Sequence, residues 1–407
     1  MDVRGFREHF PTLQGDDVPV YLDNACMTLR PKGVIDAVHH YYSKNPSCAG
    51  RSVHRWGMSV SQSVSRCRRK LAKHIGAKNS QEIVFTPNAT HSINQVSAGM
   101  DWNRGDIVIT SDREHNSNLV PWLQQKENGV ELRTIPSLED NTFDLDAYEM
   151  ACADAGEHLR MVSLVHVGNL DGVEIPIGDA SKIAHDFDAI VHVDGAQSAP
   201  HLPIDVEKLG CDLFSFSMHK MLGPTGVGAL WGKEEILNTL EPICAGGGTV
   251  SAANSAEYSL RSIPDRLEGG LGNYAGICGA EAALDLLAQY DMQEFAAQEI
   301  RVNEIITNGV KDLPGVEIIG PLDASKRGGI CSIILDDMDI QNVGILMDEV
   351  GSVFVRSGLH CVNQWFEPRG HLQGSLRASA YAYNTEEEAK CFVDTFTEII
   401  EGLRGES

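Results

Sequence analysis

Two residues of this sequence have the chemistry needed to hold and activate a carbonyl compound. Lys220 follows the apolar run 213–216 and precedes a Gly-Pro-Thr-Gly turn, and Asp194 follows the apolar run 190–193. A lysine at the end of a buried strand tends to lose its charge, and a neutral amine can form a Schiff base. Pyridoxal phosphate needs such an amine for its aldehyde and a carboxylate against its pyridine nitrogen. Either residue alone is typical of a surface charge or a turn, so only the pair predicts this cofactor.

The elements that would position these residues alternate between strands and helices through the first 290 residues. Apolar runs rich in β-branched and aromatic residues predict seven strands, at 20–22, 82–85, 106–109, 161–165, 190–193, 213–216 and 228–231. Helical patterns at 34–42 and 179–187 lie between them. Runs that are apolar on both faces are typical of parallel strands beneath helices, and such sheets bind ligands at the carboxyl ends of their strands. We therefore predict an α/β fold with a mainly parallel seven-stranded sheet.

The pattern changes after residue 290. A long helical stretch at 291–313 precedes short apolar runs, which predict strands at 315–320, 330–335 and 353–356. Further helical patterns occur at 342–349 and 385–403. A few strands with helices predict a smaller α+β domain. We predict that residues 16–290 form a large cofactor-binding domain, and that residues 1–15 join 291–407 in the small domain.

Composition excludes several classes of protein. Lys and Arg total 33 against 57 Asp and Glu, a formal net charge of −24, so we expect no nucleic-acid partner. No apolar run approaches the roughly 20 residues of a membrane-spanning helix, so we expect no membrane partner. The first residues contain no apolar leader, and we expect a cytoplasmic protein. The ten cysteines show neither a CxxC pair nor zinc-finger spacing, so we expect reduced thiols and no metal site.

Three segments carry a resemblance to a known family. Residues 21–25, 192–198 and 217–226 resemble the class V aminotransferase-like pyridoxal enzymes, and most closely the cysteine desulfurases of the Suf type, group II. The similarity runs from about residue 13 to the end, with the motifs in the family's order. It implies the fold type I of pyridoxal phosphate-dependent transferases and a homodimer. It also implies conversion of L-cysteine to L-alanine, with an enzyme persulfide that passes its sulfur to an acceptor protein.

The resemblance also implies which residues bind the cofactor. Lys220 would hold the aldehyde of pyridoxal 5′-phosphate, Asp194 would pair with the pyridine nitrogen, and His115 would stack on the ring as a catalytic residue. Asn169 and Gln197 would contact the ring oxygen. The phosphate would be bound at a helix N-terminus, with hydroxyl and imidazole groups. The full set implied is Lys220, Asp194, Gln197, His115, Asn169, Ala89, Thr90, Ser217 and His219.

Substrate binding and sulfur transfer are implied for a second group of residues. Cys361 lies in the stretch 355–361, which resembles the family's Arg-Thr-Gly-His-His-Cys, and would be the nucleophile that takes the sulfur. A thiolate is needed for that attack, and a neighbouring His360 or Arg356 is expected to favour it. Lys220, once free, would remove the α-proton. The residues implied to bind the substrate are Arg377, which would grip the carboxylate, together with Asn169, Arg356 and His54.

The sequence departs from the family pattern at several positions. Leu271 replaces a threonine that reaches the phosphate across the dimer interface, and Ala89 replaces another hydroxyl. Met58 and Leu359 stand where histidines are common, and the segment 362–368 differs from the family's small residues. The substrate loop is therefore expected to differ in size or in acceptor choice.

These departures leave other functions open. One is a different class V reaction, namely a selenocysteine or C–S lyase, an aminotransferase or an epimerase. Another is a non-catalytic binding or scaffold protein, which the joint presence of Lys220, Asp194, His115 and Arg377 argues against. Three destinations also stay open for the sulfur: iron–sulfur cluster assembly, tRNA thiolation or another route.

Overall fold

A seven-stranded sheet is the centre of the structure, a computed structural model that describes residues 1–335 and 337–405. The strands in chain order are β1 Val20–Tyr21, β2 Ile83–Thr86, β3 Ile107–Ser111, β4 Glu131–Ile135, β5 Leu159–Val165, β6 Ile190–Asp194, β7 Leu213–Ser217, β8 Gly228–Gly232, β9 Val250–Ala253, β10 Tyr258–Leu260, β11 Val316–Ile318, β12 Ile330–Leu335, β13 Val353–Phe354, β14 Arg356–Gly358 and β15 Ser375–Ser379.

The helices surround the sheets and separate their strands along the chain. They are α1 Val3–Arg7, α2 Lys32–Lys44, α3 Arg55–His74, α4 Ala89–Gly99, α5 Asn116–Gln124, α6 Leu145–Ala155, α7 Ile177–His185, α8 Val206–Leu209, α9 Glu234–Leu237, α10 Tyr274–Leu287, α11 Met292–Val310, α12 Ile340–Gly351, α13 Asn363–Phe366 and α14 Glu386–Gly405. Within the described ranges, no helix is both long enough and apolar enough to cross a membrane.

The strand order of the large sheet is β2-β8-β7-β6-β5-β3-β4. Strands β3 to β7 run parallel, whereas β8 is antiparallel to both of its neighbours, β7 and β2. Nearly all residues of the inner strands are buried. The prediction of a mainly parallel seven-stranded α/β sheet is therefore confirmed.

The membership of this sheet differs from the prediction at one strand. The run 20–22 does not join it, because β1 pairs in parallel with β13 instead. The seventh strand is β4, which lies at the edge and carries an exposed Glu131 and a half-exposed Arg133. An edge strand with one solvated side has no continuous apolar run, so the sequence pattern missed it.

A second, four-stranded sheet has the order β11-β12-β15-β14 and is antiparallel throughout. Its buried core includes Ile333 and Leu376 from the strands, Ile306 from α11 and Phe392 from α14, and is distinct from the core of the large sheet. An α+β arrangement after residue 290 agrees with the sequence pattern. The exact domain division, at residues 15 and 290, stays a prediction.

Candidate active site

The carboxyl ends of the central parallel strands bring the predicted residues together. Strand β6 ends at Asp194, and β7 ends at Ser217 just before Lys220. Both strands are parallel neighbours, so their ends lie at the same edge of the sheet. Lys220 and Asp194 line one cavity of about 230 Å³. The other predicted residues around this cavity are Ala89, Thr90, His115, Asn169, Gln197, Ser217, His219, Arg356, Cys361 and Arg377.

His54 is the predicted site residue that the structure places elsewhere. It is exposed at the N-terminus of α3, where its Nδ1 accepts a hydrogen bond of 3.3 Å from the backbone of Gly57. It does not line the cavity of its own chain. A substrate contact by His54 within one chain is therefore not supported.

Burial sets the protonation of the lysine and the carboxylate. It lowers the pKa of Lys220 to about 8, and the negative charge of Asp194 opposes this shift. It raises the pKa of Asp194, whose Oδ1 accepts a hydrogen bond of 2.9 Å from the backbone N–H of Ala196. The lysine therefore has a larger neutral fraction at neutral pH than an exposed lysine has, which favours a nucleophilic amine.

His115 is held as a neutral imidazole at the start of α5. Its Nδ1 accepts a hydrogen bond of 3.0 Å from the backbone N–H of Ser117, so the proton of the neutral ring lies on Nε2. Burial lowers the pKa of His115 to about 3, and the positive charges of Lys220 and Arg377 act in the same direction. A flat, uncharged ring in this wall of the cavity suits stacking on a flat heterocycle.

Glu114, the residue before His115, is a buried carboxylate that the sequence analysis did not single out. The carboxylate is buried and accepts hydrogen bonds from Ser111 Oγ at 2.6 Å, Asn118 Nδ2 at 2.6 Å and Val165 N at 3.0 Å. Burial raises the pKa of Glu114 to about 7, although these hydrogen bonds act to lower it. Glu114 thus links β3, α5 and β5 at the position next to His115 in the chain.

Several buried polar atoms in the cavity wall have no hydrogen-bond partner among the described residues. They are Asn169 Oδ1, Gln197 Oε1, Arg377 Nε and His360 Nδ1. The NH2 groups of both amides are engaged, by the backbone oxygens of His360 and Ala25 respectively. Since buried polar atoms nearly always have partners, this wall fits a polar, aromatic ligand such as pyridoxal phosphate.

An anion site lies at one end of the cavity, at the N-terminus of α4. Asn88 caps this helix by accepting a hydrogen bond of 2.9 Å from the backbone of His91. The N–H of Ala89 donates to Ser217 Oγ at 2.8 Å, and the hydroxyls of Thr90 and Ser117 lie 2.7 Å apart. A capped helix N-terminus with hydroxyls around it favours a phosphate. Ser117, which the sequence did not single out, adds a hydroxyl where Ala89 lacks one.

Two arginines mark the other end of the cavity. Arg377 in β15 lies directly opposite Arg356 in β14. Arg377 is buried, and its guanidinium donates to the backbone oxygen of Asn169 at 2.9 Å and to Asp23 Oδ1 at 3.3 Å. Burial lowers its pKa, with the charge of Asp23 acting against the shift. Two guanidinium groups on neighbouring strands suit a small carboxylate substrate.

Cys361 is an exposed residue on the loop after β14, between the buried residues His360 and Val362. His360 and Cys361 have φ values of 49° and 60°, in the left-handed region that residues other than glycine rarely occupy. The backbone oxygen of Cys361 accepts a hydrogen bond of 2.7 Å from Asn116 N, and that of His360 accepts one of 2.9 Å from Asn169. Hydrogen bonds from the large sheet's side of the cavity therefore hold this unusual backbone.

His360 does not have the role expected for it. The ring is buried, with Nε2 2.9 Å from Ser375 Oγ, and burial lowers its pKa well below the usual value. The expectation that a charged His360 favours the Cys361 thiolate is therefore wrong. Arg356 lines the same cavity, and its expected effect on Cys361 stays a prediction.

The divergent segment after Cys361 anchors the loop. Residues Asn363–Phe366 form the short helix α13, and Trp365 and Phe366 are buried against Leu170. The indole Nε1 of Trp365 donates to Asn141 Oδ1 at 2.6 Å. Large aromatic residues thus replace small ones because the loop is packed into a satellite core next to the site.

Comparisons with known proteins agree with this architecture. Residues 20–392 match the family described as aminotransferase class-V. A probable cysteine desulfurase from Halalkalibacterium halodurans is 34% identical over 95% of each chain. A cysteine desulfurase from Haloferax volcanii is 34% identical over 97% of this chain and 96% of its own.

Solved structures give the same assignment. A cysteine desulfurase from Escherichia coli, in its S-sulfonic acid form, has a TM-score of 0.90 at 30% identity and covers 98% of this chain and 99% of its own. The apo cysteine desulfurase from Thermococcus onnurineus NA1 has a TM-score of 0.92 at 32% identity, with 98% of each chain covered. Membership of the Suf-type subgroup stays a prediction. In sequence and in fold, over nearly its whole length, the protein belongs to the cysteine desulfurases of the class V aminotransferase family.

Proposed function

We propose that the protein binds pyridoxal 5′-phosphate at Lys220 and converts L-cysteine to L-alanine, with the sulfur first held as a persulfide on Cys361. The observation that carries this proposal is the single cavity that contains Lys220, Asp194, Arg377 and Cys361. The unpartnered polar atoms of its wall and the capped helix at one end support the cofactor. The relatives named cysteine desulfurase support the substrate.

Residues in different parts of the cavity have different proposed roles. Lys220, Asp194, His115, Asn169 and Gln197 hold the cofactor ring, and the N-terminus of α4 holds its phosphate. The bound cofactor supplies an electron sink next to the substrate α-carbon. Arg377 and Arg356 bind the substrate carboxylate, which fixes the α-proton relative to Lys220 Nζ. Lys220 then removes that proton, since burial keeps part of its amine neutral.

Sulfur transfer is the task of Cys361. Its thiolate attacks the substrate sulfur, so an S–S bond forms while the substrate C–S bond breaks and its electron pair stays on the carbon. Protonation of that carbon completes alanine. Because Cys361 is exposed, an acceptor protein can reach the outer sulfur. Iron–sulfur cluster assembly is the use that we propose for this sulfur, in the cytoplasm.

We also propose that the protein acts as a homodimer. Val53 is 93% exposed and Leu271 is 64% exposed, and Trp56 and Met58 are exposed as well. Apolar side chains rarely cluster on the surface of a monomer, so such residues suit an interface. His54 lies among them, which agrees with a place at the interface rather than in the cavity of its own chain.

The test is a reaction of the reconstituted protein with L-cysteine, followed by quantification of alanine and mass spectrometry of the chain. The proposal predicts alanine and a sulfur adduct on Cys361. Cys361→Ala is expected to abolish both, whereas Cys244→Ala, at another exposed cysteine outside the cavity, retains them. Pyruvate, a keto acid or a racemised amino acid instead of alanine would contradict the proposal and favour the other class V reactions.

A further inference from the structure

A second thiol shares the cavity with the proposed nucleophile. Of the ten cysteines, all within the described residues, Cys26 and Cys361 are the two that line it. Cys361 is exposed on its loop, whereas Cys26 is half-buried between β1 and α2. The mechanism proposed above uses only Cys361. Both residues line the same cavity of about 230 Å³, in which the sulfur would be released.

Cys26 is in direct contact with a cation. The guanidinium Nη1 of Arg356 donates to Cys26 Sγ at 3.1 Å. The contact places a positive charge directly beside the Cys26 sulfur. A negative charge at Cys26 also acts on Lys220 and Arg377, where it opposes the lowering of both pKa values by burial. Cys26 therefore lies in the positive field of the site, as a sulfur nucleophile requires.

Hydrogen bonds from three other residues hold the backbone around Cys26 in place. The N–H of Ala25 donates to Ser379 Oγ at 2.9 Å, and the oxygen of Ala25 accepts from Gln197 Nε2 at 2.7 Å. The N–H of Cys26 donates to the oxygen of Asp23 at 3.2 Å. Cys26 thus has a fixed backbone in the wall of the cavity, and Cys361 is an exposed residue of the same wall.

We propose that Cys26 is a second sulfur carrier that exchanges sulfur with Cys361. The Cys26 thiolate attacks the outer sulfur of the Cys361 persulfide, and a new S–S bond forms to Cys26 Sγ. The bond between Cys361 Sγ and the outer sulfur breaks, and its electron pair leaves on Cys361 as a thiolate. The exchange consumes no oxidant or reductant, because one persulfide and one thiolate give another persulfide and thiolate. This inference rests on the proposed function.

The exchange sets the number of sulfur atoms that one protomer can hold. Once its sulfur has moved to Cys26, Cys361 is a free thiolate and can take sulfur from a second cysteine. Each protomer then holds two sulfane sulfurs when no acceptor is present. The reverse exchange returns the stored sulfur to Cys361, where an acceptor can reach it.

The test is a rapid-quench reaction of the reconstituted holoenzyme with a small excess of L-cysteine and no acceptor or reductant. Burst kinetics report covalent intermediates, and we expect about two alanines per protomer in the wild-type burst and about one in Cys26→Ser. Mass spectrometry of trapped peptides should find the extra sulfur on both Cys26 and Cys361. Cys391→Ser is the matched control, since Cys391 is also half-buried but lies outside the cavity, and should keep the burst of two.

Three other results of this experiment would each reject a different part of the proposal. A wild-type burst of one alanine with sulfur on Cys361 and none on Cys26 would reject the second carrier and leave the proposed function intact. A lack of any alanine would reject the proposed function itself. Sulfur on Cys26 in Cys361→Ala would reject the exchange, because Cys26 would then take sulfur directly from the substrate. The wild-type peptide map is decisive even if Cys26→Ser folds poorly.

Discussion

The side-chain amide of Asn169 donates a hydrogen bond of 2.9 Å to the backbone oxygen of His360, the residue before Cys361. Asn169 follows β5 of the large sheet, whereas His360 follows β14 of the four-stranded sheet. The backbone oxygen of Asn169 in turn accepts from Arg377 at 2.9 Å. Asn169 thus connects the end of β5 to the loop of Cys361 and to Arg377, for which we propose binding of the substrate carboxylate.

Asn169→Ala should slow sulfur transfer by releasing this loop. A lost buried hydrogen bond costs about 1–1.5 kcal/mol, so we expect a roughly tenfold slower single turnover to alanine, measured by rapid quench. Asn308→Ala, at an exposed asparagine on α11, is the control and should leave the rate unchanged. An Asn169→Ala enzyme with the wild-type rate at saturating cofactor would show that the contact does not position Cys361.

Gly374 sets the approach of the hairpin that carries the same loop. Its φ is 84°, and a Cβ there would lie 2.1 Å from the backbone oxygen of Gly358 and 2.8 Å from Leu359 N. Gly370 has a φ of 79° and open space around the same position. Left-handed backbone costs about 1–3 kcal/mol for a residue other than glycine, and the clash adds to this only at Gly374.

Gly374→Ala should therefore lower Tm clearly more than Gly370→Ala, as measured by thermal unfolding of the two variants side by side. Alkylation of Cys361 should also change in rate in Gly374→Ala, because Gly358 and Leu359 must move. Equal Tm values for the two variants would mean that the hairpin adapts without strain.

The pH dependence of the rate at which the apoprotein binds pyridoxal phosphate should follow the pKa of the Lys220 amine. Its pKa is lowered to about 8, so the neutral, nucleophilic fraction grows as the pH rises towards that value. The rate of reconstitution of the apoprotein with pyridoxal phosphate should rise about tenfold per pH unit below this point and level off above it. Absorbance of the lysine-bound cofactor measures the rate.

The same measurement on Asp194→Asn tests how the charge of Asp194 affects the pKa of Lys220. Because that charge raises the pKa of Lys220 against burial, Asp194→Asn should move the midpoint to lower pH. Lys182→Ala, at an exposed lysine on α7, should leave it in place. A midpoint near the ordinary lysine value of 10.5 would contradict the burial argument.

Arg377→Lys should weaken the binding of the substrate carboxylate. A lysine ammonium cannot reproduce the planar pair of donors, and hydrogen bonds to charged groups contribute about 1.5–3 kcal/mol, so KM for L-cysteine should rise about ten- to hundredfold. Steady-state alanine formation gives this value. Arg133→Lys, on the edge strand β4, is the control and should leave KM unchanged. An unchanged KM in Arg377→Lys would mean that a residue other than Arg377 binds the substrate carboxylate.

Local patterns were enough to predict the centre of the large sheet and the residues at its edge. Asp194 and Lys220 follow apolar runs that form the parallel neighbours β6 and β7, and parallel neighbours end at the same edge. The pattern failed at β4 and at the run 20–22. An edge strand carries charges that interrupt its apolar run, and the sequence pattern of a two-residue strand does not specify its partner.

By itself, then, the sequence determined the fold class, the order of the central elements and the residues at the strand ends, because hydrophobic periodicity is a local property of the chain. Only the tertiary structure decided that His360 is buried and neutral, that Trp365 anchors the cysteine loop, and that Arg356 contacts Cys26. Each of these depends on contacts between segments far apart along the chain. Burial and charge at such points arise from packing, which no local pattern encodes.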